Sequence, residues 1–213
     1  MKYGLLALIA PLSLVGCASM TPTVQTESAH VTMDVQPSSI DRSLLLDNVT
    51  KAVQTHMSAV RVSREIPPRD LPEKPGKFYL KDPFAGSNMG ALIGPMKMPV
   101  CEDAILTISS SDTTMQQYGD KTSFFLCVQP YKLGYNINIY STFTKASGGI
   151  SPTTLGATLA SSLVGDSRQF IPRAMNEVRT AVENIGGKVV ILDSYIPDSF
   201  KGPMVDQVGS LKK

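Results

Sequence analysis

The chain has 213 residues, of which 42% are hydrophobic and 18% charged, a balance that suits a folded domain and excludes a chain too polar to bury a core. Twenty basic and 18 acidic residues leave a formal net charge of +2, so no broad basic field points to nucleic acid or to anionic lipid.

Residues 1–16 read as a signal peptide, with a charge at Lys2, an apolar core over Leu5 to Ala10 and Leu12 to Val15, and a small residue at Gly16. Pro11 interrupts that run, which is shorter than the roughly 20 apolar residues that a membrane-spanning helix needs. Leu14, Val15, Gly16 and Cys17 then resemble the lipobox of bacterial lipoproteins. The resemblance implies cleavage before Cys17 and a diacylglycerol thioether on its sulfur, with a further acyl chain usual on the new N-terminus. Ala18 and Ser19 stand where the family's inner-membrane retention signal would place Asp, which favours sorting to the outer membrane with the domain in the periplasm. The membrane is thus an expected partner through acyl chains on Cys17, each buried methylene adding roughly 0.8 kcal/mol.

With Cys17 lipidated, two of the three cysteines remain, and in an oxidising compartment Cys101 and Cys127 read as one disulfide. A redox or metal pair would call for Cys-x-x-Cys spacing, and only His30 and His56 offer imidazole. No cofactor or metal site is expected.

Residues 17–37, rich in Ser, Thr, Pro and Gln, suit a flexible tether. A helix is expected from about Asp41 to Val62, because Leu45, Val49, Ala52, Val53, His56 and Val60 recur at three- and four-residue steps; Ser38 with Asp41 looks like its capping box. His56 lies on that apolar stripe, where a hydrogen-bonded histidine at the core edge is the expected role.

Five prolines, Pro67, Pro68, Pro72, Pro75 and Pro83, make residues 66–83 a semi-rigid strap that wraps the core or meets a partner. Residues 84–99 form a Gly/Met apolar loop in which Gly86, Gly90 and Gly94 alternate with larger residues. Its Met89, Ala91, Leu92, Ile93, Met96 and Met98 offer either a cover for the core or an adaptable contact surface, and they are the candidate interaction surface.

Alternating patterns predict strands at about 100–109, 121–131 and 135–144. An antiparallel first pair with Cys101 opposite Cys127 would place Ser109 opposite Gly119 and staple adjacent strands. Beyond Gly148, small residues at Thr153, Ala157, Ser161 and Gly165 suggest a short helix. A second helix starts at Asp166 or Ser167 and runs to Ile185, with Pro172 best tolerated in its first turn and Gly186 and Gly187 ending it. Lys188 to Tyr195 reads as a strand buried on both faces, since Val189 to Leu192 are apolar without alternation. Residues 198–213 read as a loose tail.

These elements predict a single α+β domain over 38–197, a two-layer α/β sandwich of about four mostly antiparallel strands with two main helices on one face. In element order alone it resembles the accessory lipoproteins of lipopolysaccharide-assembly and lipid-transport machines, and fold does not fix function. The expected function is that of a lipid-anchored, non-enzymatic binding or scaffold module of a cell-envelope assembly, with an envelope protein partner or self-association and no nucleic acid. Alternatives are a periplasmic carrier of an acyl lipid or other apolar ligand, with a Met- and Phe-lined cavity between helices and sheet, and an envelope hydrolase. The chain lacks Gly-x-Ser-x-Gly and His-Glu-x-x-His, and Ser58 beside His56 makes no dyad from spacing alone.

Overall fold

The computed structural model describes residues 23–37, 39–57, 59–88, 97–112, 121–147 and 167–198. The elements, in chain order, are β1 (Thr23–Gln36), α1 (Arg42–His56), β2 (Arg61–Arg64), β3 (Phe78–Lys81), β4 (Met98–Cys101), β5 (Leu106–Asp112), β6 (Lys121–Tyr131), β7 (Gly134–Ser147), α2 (Ser167–Asn184) and β8 (Lys188–Tyr195). Six strands form one antiparallel sheet in the order β2-β5-β6-β7-β1-β8, and β3 pairs with β4 in a separate hairpin.

The protein is therefore mostly β, which overturns the expected four-stranded two-layer sandwich. The largest difference is β1. The stretch expected as a tether becomes, from Thr23, a 14-residue strand hydrogen-bonded on both sides, to β7 and β8. Its period of two explains why: Ala29, Val31, Met33 and Val35 are fully buried on the core face, while His30, Thr32 and Asp34 alternate with them on the other.

Both helices pack on the core face. Leu45, Val49 and Val53 of α1 meet Ile171, Met175 and Val178 of α2 and the inward side chains of β1, β5, β6 and β7 in one cluster. The α1 N-cap is Asp41, its Oδ1 accepting from the Leu44 amide at 2.7 Å, and Ser38 of the expected capping box lies outside the described residues. This helix ends at His56, short of Val62, because Arg61–Arg64 peel off as the edge strand β2. Pro172 sits inside α2, beyond its first turn. The end of that helix is set by Gly186, whose φ of +88° is the left-handed geometry of a C-cap, and the Gly187 amide returns to the Val182 carbonyl at 3.0 Å.

β8 is a sheet edge, not a covered strand. Val189 and Ile191 pack on the core, whereas Val190 and Leu192 are about half exposed on the opposite face. The expected 100–109 strand divides in two: Met98–Cys101 leave for the hairpin with β3, and the sheet strand begins only at Leu106. Thr107, not Cys101, then lies opposite Cys127, and Ser109 lies opposite Phe125. Cys101 and Cys127 are bonded, and the bridge joins the β3–β4 hairpin to the main sheet rather than stapling sheet neighbours.

Candidate functional site

The face of the sheet turned away from the helices carries an uncommon load. Thr32 and Asp34 of β1, Gln129 of β6, and Asn136 and Asn138 of β7 are all buried there. Polar side chains survive burial only when paired, and most of these are. Thr32 Oγ1 donates to Asn138 Oδ1 at 2.9 Å, Asn138 Nδ2 donates to Gln129 Oε1 at 2.9 Å, and Gln129 Nε2 donates to the Glu102 carbonyl at 2.7 Å. A second cluster closes on Asp34, which accepts from the Tyr131 hydroxyl at 2.6 Å and from Gln36 Nε2 at 2.9 Å. Burial, together with the hydrogen bond to the Asp34 carboxylate, raises the Tyr131 pKa above its ordinary value. Tyr140 is raised as well, chiefly by burial.

What buries this face is the proline strap and the hairpin after it. The Asn136 amide donates to the Gly76 carbonyl, the Lys132 amide donates to the Pro72 carbonyl at 3.0 Å, and Lys132 pairs with Glu73. The strap approaches closely at Gly76, where a Cβ would lie 2.6 Å from Gln129 Nε2. Phe78 then packs on the sheet, 5.8 Å from the Tyr140 ring and 6.0 Å from the His30 ring. The strap therefore wraps its own domain, and the disulfide holds the far strand of the hairpin to β6.

The cover leaves two clefts open on this face. The smaller, about 380 Å³, lies toward the β8 edge and is walled by His30, Phe78, Leu192 and Asp193. His30 Nε2 sits 3.3 Å from Asp193 Oδ2 and stacks on Tyr195 at 6.2 Å. The neighbouring Thr32 hydroxyl commits its proton to Asn138, so it does not face His30 as a nucleophile would. The larger cleft, about 520 Å³, lies over β5, β6 and β7 toward the β2 edge. Phe125 and Tyr140, directly opposite each other on β6 and β7, line it together with Arg61, Lys97 and Lys121.

Of the residues singled out in the sequence, Cys17, Met89, Ala91, Leu92, Ile93 and Met96 lie outside the described residues, as do the signal segment, the short helix expected at 152–164 and most of the tail. Met98 is described, 49% exposed at the start of β4, where it lines the larger cleft. His56 ends α1 half-buried and lines neither cleft. Sequence reasoning passed over His30, Arg61, Lys97, Lys121 and Phe125. The available signal was the alternation in residues 28–35, which would have revealed a two-sided strand. Among the described residues no cluster of three or more potential metal ligands occurs, and no helix is long and apolar enough to cross a membrane.

No protein-family model matches this chain, and no curated protein does. Among solved structures it is similar to one titled "Crystal structure of Ara h 8.0201", at 13% identity over 76% of this chain and 99% of that one. The TM-score of 0.25 is too low to define the fold.

Proposed function

We propose that the chain is a lipid-anchored outer-membrane lipoprotein that acts in the periplasm as a non-enzymatic binding module of an envelope assembly. Leu14, Val15, Gly16 and Cys17 support the anchor, and the Cys101–Cys127 disulfide suits an oxidising compartment. The observation that carries the binding role is the covered sheet face, where two clefts of ligand size stay open, the smaller beside the buried polar network at Thr32. The alternative of an apolar carrier draws less support, since Met33, Met175 and Phe143 at the helix–sheet interface pack into the core.

Fractionation and in-membrane crosslinking test this reading. The natural chain is expected in the outer-membrane fraction with a stoichiometric envelope partner, and Cys17→Ala in the soluble fraction. Membrane retention of Cys17→Ala would refute the anchor. Absence of any partner or ligand on the natural protein would refute the binding role. A companion form with Met89 to Ile93 replaced by Ser and Gly tests the apolar loop, which is expected to be needed for the crosslink.

A further inference from the structure

From the larger cleft we infer that this protein binds a phosphorylated sugar there. The inference rests on the binding-module reading and names the ligand class of one of its clefts.

Three strands from distant parts of the chain bring cations to this cleft. Arg61 comes from β2, Lys97 from the residue before β4, and Lys121 from the first position of β6. Among the described residues, no aspartate or glutamate lines it and none of the three cations is ion-paired. In a chain whose net charge is only +2, such a one-signed cleft is a local arrangement and not part of a general basic surface. Arg and Lys converging in a concave site favour a dianionic group, with Arg able to grip two of its oxygens.

The rest of the lining argues against a bare anion. Phe125 and Tyr140, opposite each other on β6 and β7, give the cleft an aromatic wall, and the Tyr140 ring lies 5.8 Å from that of Phe78. Around them stand the hydroxyls of β5, β6 and β7, including Ser123 and Thr142, already hydrogen-bonded to each other. A sugar ring suits this lining, with C–H edges for the aromatic residues, hydroxyls that can add to the hydrogen bonds of the serines and threonines, and the phosphate left for the cations. A membrane-surface contact would instead present a cluster of about 4–8 cations next to the bilayer. Among the described residues there are three here, in a hollow of about 520 Å³.

Calorimetric titration of the detergent-solubilised full chain with glucose 1-phosphate, glucose and inorganic phosphate tests the inference. Glucose 1-phosphate is expected to bind at least tenfold tighter than glucose or phosphate. The double variant Arg61→Gln/Lys121→Gln, both exposed positions whose melting should be unchanged, is expected to lose at least tenfold. Phe125→Ala should weaken glucose 1-phosphate and leave inorganic phosphate unaltered. Flotation of the Cys17→Ala full chain separates sources: binding to vesicles containing monophosphoryl lipid A, whose headgroup is a sugar phosphomonoester, but not to phosphatidylglycerol vesicles, lost in the double variant, would assign the sugar phosphate to a lipid headgroup. Equal binding of phosphate and glucose 1-phosphate, equal flotation with both lipids, or no binding by any probe would overturn the inference. A crosslinked envelope partner that persists in the double variant while all sugar phosphate binding is absent overturns this inference alone. Release of the natural protein from the membrane, or loss of every partner and ligand, overturns the broader reading instead.

Discussion

Replacing Cys101 and Cys127 together by alanine removes the link between the hairpin and the sheet, and its effect can be worked from the 26-residue separation. Loop-closure entropy for that length gives a loss of about 3.5 kcal/mol at 25 °C. In a protein of this size such a loss lowers the melting temperature by about 7–14 °C, taking roughly 2–4 °C per kcal/mol. Alanine avoids burying a new hydroxyl at position 127, which is fully enclosed. The bridge ties a cover to a sheet, so its loss should loosen one region before the rest. Amide exchange is expected to rise first in β3 and β4 and at the Lys132 amide, which bonds to Pro72 of the strap, with α1 and α2 still protected. Circular dichroism melts, with and without reductant, and hydrogen exchange by mass spectrometry provide the readouts. A melting shift under about 2 °C, or exchange that rises first in the helices, would refute the assignment of the disulfide to the cover.

Tyr131→Phe leaves the buried Asp34 carboxylate with one fewer donor, and by urea unfolding at pH 7 it is expected to cost about 1–3 kcal/mol. In the natural protein the Tyr131 pKa is raised, chiefly by burial, so the folded state holds that proton more tightly than the unfolded one. Its contribution is fully present below the ordinary tyrosine value of about 10 and is lost as the pH rises through the folded value. Urea midpoints should therefore fall as the pH rises above about 10, less steeply in Tyr131→Phe, and parallel profiles would count against the Tyr131–Asp34 bond. Gly186→Ala places a Cβ in open space at a φ of +88°, so backbone strain alone acts; a loss of about 1–2 kcal/mol by chemical denaturation is expected, and no loss would contradict the left-handed cap.

The limits of β6 and β8 were legible because Lys121 and Lys188 open apolar runs of strand length, and the α1 stripe from Leu45 to Val53 declared its helix. β1 was hidden by its own two-sidedness. Ser28, His30, Thr32 and Asp34 give the composition of a linker, yet they are the residues a second covering layer requires, and nothing local announces that layer. Four-residue strands such as β2, β3 and β4 are too short to display a period, so Val60 and Val62 read as more helix and Cys101 as part of the sheet. The even cysteine count pointed to the bridge, but its role depended on knowing that residues 98–101 leave the main sheet. The cleft cations illustrate the deeper limit: positions 61, 97 and 121 meet only through the strand order, which no single segment encodes.

The early start of β1 bears on mechanics. Only five residues separate Cys17 from Thr23, so the proposed lipid anchor would keep the start of the sheet within about 20 Å of the bilayer surface. Thr23 pairs with Ser147, and Lys121 pairs with Thr144 nearby, so the larger cleft would open on the membrane-proximal half of the domain while the β6–β7 turn points away. Force transmitted through the anchor would pull β1 along its own length. Thr23–Ala29 are held by β7 alone and β8 adds a second seam from His30 onward, so that load falls on hydrogen bonds in shear, the arrangement in which many bonds share the strain, instead of unzipping an edge one bond at a time.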